Sequence, residues 1–297
     1  MSGATSTTSP DSVVAPPRQR RGIGWLLLLP GALWLAAFFV TPLVQLVATS
    51  LYDPGGSVEQ GYAMTWSWRN YTDALDLYAE PFIRGFVYAG IATVLCLLIG
   101  YPLAYAIAFK AGRWKNLMLV LVIAPFFTSF LVRTLAWKLI LADNGTVVSA
   151  FKAVGLVAED GRLLATGFAV VAGLTYNFLP FMVLPLYASL ERLDHRLIEA
   201  AGDLYSSPAQ GFRKVTLPLS MPGVVAGTLL TFIPSAGDFI NAQLLGDTNQ
   251  TMIGNTIQGL FEAGVYPAAS ALSVTLMTLI IVMVAIYIRR AGTEELL

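Results

Sequence analysis

Charge is what this sequence has least of. Only 12% of its 297 residues are Asp, Glu, Lys or Arg, about half the share a soluble domain uses to keep its surface hydrated. The 18 basic and 18 acidic side chains cancel, so no net field draws the chain to nucleic acid. Cysteine is limited to Cys96, inside an apolar run, which excludes an internal disulfide. Histidine is limited to His195. Without a second His or a Cys at ligand spacing, neither a metal centre nor a Ser–His hydrolase is expected. A Gly-x-x-x-x-Gly-Lys-Ser/Thr phosphate loop is also missing, so the chain has no obvious means of holding a nucleotide. No cofactor and no catalytic residue are expected.

What is present is apolar surface: 56% of residues are hydrophobic and the mean hydropathy is +0.67. Six runs, at 25–50, 85–109, 117–141, 164–190, 224–245 and 268–288, are long enough to cross a hydrocarbon core of about 30 Å as helices. Helices satisfy their own backbone there. The expected fold is therefore an all-α, polytopic membrane protein with six transmembrane helices, in contact with membrane lipid. Residues 1–22, rich in Ser, Thr, Pro and Gly, read as a disordered tail, and 23–297 as one transmembrane domain.

Basic residues set the direction. With the N-terminus inside, the inner segments hold Arg18, Arg20, Arg21, Lys110, Arg113, Lys115, Arg192, Arg196, Arg213, Lys214, Arg289 and Arg290, whereas the outer loops hold Arg69, Lys152 and Arg162. That asymmetry predicts both termini on the cytoplasmic side.

One long polar segment, 191–222, lies on the inner side, and it reads as two helices. Asp194 is placed to cap a helix with Leu197, Ile198, Ala201, Leu204 and Tyr205 on one face. Ser207 followed by Pro208 starts a second helix, which Pro218 is expected to stop after Leu217. Composition leaves two roles open for this elbow, docking in a groove of another protein or lying on the lipid surface.

The wording of the elbow carries a resemblance. Glu199, Ala200, Ala201, Gly202, Asp203, Leu204 and Tyr205, then Pro208, Phe212 and the ending Val215-Thr216-Leu217-Pro218-Leu219, resemble the EAA loop of binding-protein-dependent ABC importer permeases, with Tyr205 standing where the family usually has glycine. The resemblance extends from Trp25 onward. It is greatest to the spermidine/putrescine-type permeases through Phe126-Phe127-Thr128-Ser129-Phe130-Leu131-Val132-Arg133, through Leu179-Pro180-Phe181-Met182-Val183-Leu184-Pro185-Leu186-Tyr187, and through Met252-Ile253-Gly254-Asn255.

The resemblance implies a type I ABC importer permease fold in the bacterial cytoplasmic (inner) membrane. It also implies a cytoplasmic ATPase dimer that hydrolyses ATP, a second homologous permease chain, an extracytoplasmic solute-binding protein, and a small cationic solute of polyamine type. Glu199, Ala200, Ala201, Gly202, Leu204, Tyr205, Pro208 and Phe212 would then couple the chain to the ATPase. Two alternatives stand beside it: the same machine with another small solute, and an ion-gradient-driven secondary transporter. The latter would show internal repeats, and none is convincing between the first and last three spans.

Three ionisable residues fall within the spans: Arg133, Lys138 and Asp238. Lys138 is near enough to an outer end to snorkel. Asp238 is 14 residues beyond Val224, about 21 Å along a helix, and Arg133, 16 residues into its span, is expected at similar depth. Pro234 and Gly237 both weaken a helix interior, so 233–241 is expected to be a broken segment lining a path. Two readings are open for the charges, an Asp238–Arg133 ion pair or contact with substrate. Trp137, Tyr176 and Asn177 are further pathway candidates through cation–π attraction and amide hydrogen bonding, with packing between helices as the alternative.

Overall fold

The computed structural model describes residues 21–155, 157–194, 196–197 and 207–291. Among them the only β-type pairing is two isolated antiparallel bridges, Tyr52 with Met64 and Ser57 with Gly61. The chain divides into two units, Met1–Gln45 and Leu46–Leu297. In the first, α1 (Arg21–Leu35) leads through a π-helical turn at Ala36–Val40 into α2 (Thr41–Thr49). The π turn has a local cause. Pro42 has no N–H to give, and its ring would strike the carbonyl of Phe38, four residues back. Phe38 sits in the middle of the widened turn, which the Thr41 amide closes on Ala36 O.

The second unit is built on α3 (Arg69–Tyr105), α7 (Gly167–Glu191) and α8 (Met221–Ala236), which pack on one another pairwise. Between α3 and α7 run α4 (Lys115–Ile123), α5 (Phe130–Ile140) and the short α6 (Thr146–Ala153). After α8 come α9 (Ile240–Leu245), α10 (Ile253–Glu262) and α11 (Tyr266–Ala291). Lipid tails are as apolar as leucine, so helices in a bilayer associate through close fit rather than hydrophobic exclusion. Gly227 shows how: a Cβ there would lie 2.8 Å from Met182 Sδ and 3.1 Å from Met182 O, so α8 and α7 touch almost backbone to side chain. Buried Cys96, Ile107, Met182, Leu186 and Leu190 fill one end of the bundle, and Val170, Leu174, Leu245 and Met252 fill another layer. Leucine, isoleucine and phenylalanine side chains such as Leu98, Leu121, Phe127 and Ile281 point outward.

Four helices, Leu28–Thr49, Arg69–Lys110, Gly167–Glu191 and Tyr266–Arg290, are long and apolar enough to cross a membrane, and the two bent pairs Gly112–Phe127 with Phe130–Ile140 and Ala209–Leu219 with Met221–Ala236 bring the total to six. The spans differ from the expected ones in two ways. The second begins 16 residues earlier, at Arg69, because the polar stretch before it is also helical, with a kink at Tyr78. The third is not one rod: Thr128 and Ser129 are extended, and the halves meet at 96°. The fifth is broken as expected, with α8 ending at Ala236 and α9 starting at Ile240.

In the polar segment 191–222, Ile198 to Ser206 lies outside the described residues, and with it Glu199, Ala200, Ala201, Gly202, Leu204 and Tyr205. The second helix does start at Pro208, with the Gln210 amide on Ser207 Oγ. It ends two residues later than expected, at Leu219. Pro218 is accommodated by a π turn at Phe212–Thr216, with Lys214, four residues before the proline, at its centre.

Candidate functional site

The break in the fifth span brings the polar residues together. Pro234 cannot donate into the helix, and Gly237 and Asp238 leave it after Ala236. The chain then re-enters helix at Ile240, where the first amides have no partners of their own. Asp238 supplies one: its Oδ1 accepts from the Asn241 backbone N (2.8 Å) and from Asn241 Nδ2 (3.2 Å). The carboxylate is therefore a helix cap first.

Asn241 carries the connection onward. Its Oδ1 accepts from Asn177 Nδ2 of α7 at 3.1 Å and lies 3.4 Å from Thr134 Oγ1 of α5. Asn177 Nδ2 also donates to Thr134 Oγ1 at 3.1 Å. All four residues are buried. Polar groups out of water cost little only when they satisfy one another, and here three separate spans meet through amides and a hydroxyl, with Asn177 Oδ1 alone of the cluster buried without a partner among the described residues. On the other side of the break, α10 supplies a second anchor. Asn255 Nδ2 donates to Phe239 O at 2.7 Å, and a Cβ on Gly254 would lie 2.7 Å from Gly237 O. Only glycine lets α10 come this close to the break.

Arg133 does not join Asp238. It is buried, with Nε and Nη1 lacking any acceptor, and its guanidinium carbon sits 5.6 Å from the centroid of the Phe130 ring. Among the described residues it forms no ion pair, so the pairing read as one option from sequence is not formed in this conformation. The next residue, Thr134, reaches Asn241, so what separates Arg133 from Asp238 is the direction of its side chain, which lies over the Phe130 ring.

Trp137 and Tyr176 do meet, with ring centroids 5.5 Å apart and planes at 59°. Both are half-buried, on α5 and α7, and each is next to or one turn from a member of the amide cluster. Beside the break, a polar cavity of about 360 Å³ is lined by Gln243, Asp247, Thr251, Asn255, Gln258 and Glu262. A groove of about 650 Å³ along Ile233, Ile257, Leu276, Ile280 and Val284 is apolar and unsuited to a polar solute.

At the end of the bundle that carries the elbow, Phe212 meets Tyr101 edge-on at 5.5 Å and Tyr105 at 6.2 Å. Tyr101 OH and Ser220 Oγ are 2.7 Å apart, so the described part of the elbow is fixed to α3. Lys115 at the start of α4 and Glu191 at the end of α7 form an ion pair. Of the residues singled out from sequence, the structure thus gathers Asp238 and Asn177 in one network, pairs Trp137 with Tyr176, and leaves Arg133 apart. Thr134, Asn241 and Asn255 were missed, because a neutral polar side chain carries little local signal, and Asn177 stood out only by its position in mid-span. The one available signal was their position, with Asn241 inside the expected break and Asn255 in the Met252–Asn255 stretch.

Comparison with known proteins agrees with this architecture. Residues 97–291 match the family described as binding-protein-dependent transport system inner membrane component. The chain is 38% identical over 258 residues to the spermidine/putrescine transport system permease protein PotB of Haemophilus influenzae, covering 86% of this chain and 90% of that one. With PotB of Escherichia coli it shares 37% over 260 residues, 86% and 93% of the two chains. A solved bacterial alginate ABC transporter, in complex with its alginate pentasaccharide-bound periplasmic protein, has a chain that superposes with a TM-score of 0.69 at 17% identity, covering 93% of this chain and 96% of that one. That likeness concerns the fold alone. On the family match and on the identity to these permeases, this six-span chain belongs to the binding-protein-dependent transport system inner membrane components.

Proposed function

We propose that the chain is a permease subunit of an ATP-driven importer whose cargo is a small polyamine cation, spermidine or putrescine. The observation that carries the reading is the 37–38% identity over 86% of the chain to permeases named for that transport. In this reading a second permease chain completes the path, two cytoplasmic ATPases supply the motion, and an extracytoplasmic binding protein delivers the solute. Both termini face the cytoplasm, in keeping with the basic residues at the inner ends of the spans. The ATPases dock on the elbow through Glu199, Ala200, Ala201, Gly202, Leu204, Tyr205, Pro208 and Phe212. Its motion reorients the spans around the path.

The path residues we assign are Asp238, Asn177, Trp137, Tyr176 and Arg133. A carboxylate in partly desolvated surroundings attracts an ammonium group far more than in water, and the Trp137–Tyr176 pair offers aromatic faces to an alkylammonium chain. Arg133 has donors only, so it does not bind a cation; it stands as a fixed positive charge that the cargo must pass. Uptake of labelled spermidine by cells producing the complete importer tests the assignment. Asp238→Asn is expected to lower spermidine uptake at unchanged protein abundance. Uptake of a neutral solute, with none of spermidine or putrescine, would refute the cargo.

A further inference from the structure

We propose that Asn241 is a positioning residue that links arrival of a cation at Asp238 to release of the outer half-helix of the fifth span. The inference rests on the reading of Asp238 as the counter-charge for a polyamine. It starts from the use already made of that carboxylate. Both the backbone amide and the side-chain amide of Asn241 donate to the same oxygen, Asp238 Oδ1, at 2.8 and 3.2 Å. The other end of the Asn241 side chain is held by Asn177 and, at longer range, by Thr134. Asn241 therefore has one hand on the break and the other on the third and fourth spans, and it is fully buried.

The seat of α9 is as tight as its bonds. A Cβ on Gly173 would lie 2.4 Å from Leu245 Cδ1 and 2.8 Å from Asn241 Oδ1, so α9 rests directly on the α7 backbone. On the far side, Asn255 donates to the carbonyl of Phe239, and Gly254 lies close against the carbonyl of Gly237. A break pinned from both sides is a closed arrangement, and Asp238 within it is only 8% exposed.

An ammonium group changes the balance because it brings a full charge to a carboxylate that now serves two neutral N–H donors. Both Asn241 bonds end on Asp238 Oδ1, and in partly desolvated surroundings the attraction between two full charges exceeds that of a carboxylate for neutral N–H donors, so a cation that takes Oδ1 displaces Asn241 from it. Once displaced, α9 loses its cap and Asn241 no longer joins Asp238 to Asn177. The half-helix then stays joined to Asn177 and Thr134 and is no longer tied to Asp238 at the end of α8. A cation thereby opens its own path, and in its absence the break stays shut.

The test uses the assembled importer in lipid nanodiscs, with ATP hydrolysis measured alone and with spermidine-loaded binding protein. Asn241→Leu keeps the volume and deletes the hydrogen bonds of the side chain. It is expected to raise spermidine-free hydrolysis about fivefold, the factor carried by one net hydrogen bond of typical strength, so that the ratio with and without spermidine falls by the same factor. Thr134→Val, isosteric but without the hydroxyl, should move the ratio in the same direction by about threefold. A role in packing alone would lower both rates in parallel with abundance, and that result overturns the proposal. So does an unchanged ratio in both variants. If Asn241→Leu does not assemble, Thr134→Val decides. Full spermidine stimulation of Asp238→Asn would instead refute the substrate reading of Asp238, whatever the Asn241 result.

Discussion

Replacing Gly254 with alanine puts the geometry of the break to a direct test. The new methyl would arrive 2.7 Å from Gly237 O and 3.0 Å from Asp238 O. Ordinary contact between carbon and oxygen needs about half an ångström more, so α10 must move off the break or the break must give. Strain of this kind in a packed interior costs about 1–3 kcal/mol. It acts against the intrinsic gain of alanine over glycine in a helix, about 1 kcal/mol. Gly259 is the internal control. It lies in the same helix, and a Cβ there meets nothing within 4 Å, so Gly259→Ala keeps the propensity gain without the clash. The expected result is that Gly254→Ala lowers the thermal unfolding midpoint of the purified protein while Gly259→Ala leaves it unchanged or raises it. Spermidine uptake should follow the same order, since displacing α10 also pulls Asn255 from Phe239 O. Equal midpoints for the two variants would refute the close seat of α10 on the break.

Three further outcomes are expected. Tyr101→Phe removes the hydroxyl that meets Ser220 Oγ and should cost about 1 kcal/mol of stability, read as a lowered midpoint with packing against Phe212 retained; no change would mean that the elbow is held by its rings alone. Glu199→Lys should abolish uptake and co-purification of the ATPase while the six spans stay folded, because a charge introduced at a close-packed groove is buried unpaired; normal ATPase binding would remove the docking role. Single cysteines in a Cys96→Ser background should react with an impermeant thiol reagent from outside at Gly145 and Asn249 and not at Gly202, as the distribution of basic residues requires; the reverse pattern would invert the topology.

Six spans were readable from the runs of apolar residues because length and hydropathy are all that a crossing helix needs. The break near Pro234 and Gly237 was readable for the same kind of reason, since both residues act on the backbone locally. The bend at Thr128 and Ser129 was not, although Pro125 lies just before it: two extended residues in an apolar run leave no mark in composition. Arg133 shows that similar depth does not make a pair: its neighbour Thr134 reaches Asn241, whereas Arg133 itself lies over the Phe130 ring. Asn241 shows a different limit. A neutral amide has little local signature, and its importance comes from Asn177 and Thr134, 64 and 107 residues away. The Met252–Asn255 stretch stood out as a family resemblance, but only the fold shows that its glycine and asparagine grip the break.

The two π turns ahead of Pro42 and Pro218 hold a consequence for how the chain tolerates changes in length. Each contains one residue beyond the α-helical count, a spacer that moves the struck carbonyl out of the way of a proline ring. Deleting one residue from Phe212–Thr216 would restore α-helical phase, return the ring of Pro218 to a collision worth about 3 kcal/mol or more, and swing whatever precedes the deletion by about 100° around the helix axis. Phe212 would leave its place against Tyr101 and Tyr105. The prolines thus act as clock settings for the elbow: they fix which face of it is presented inward, and a homologue that loses Pro218 is the one in which the extra residue can also be lost.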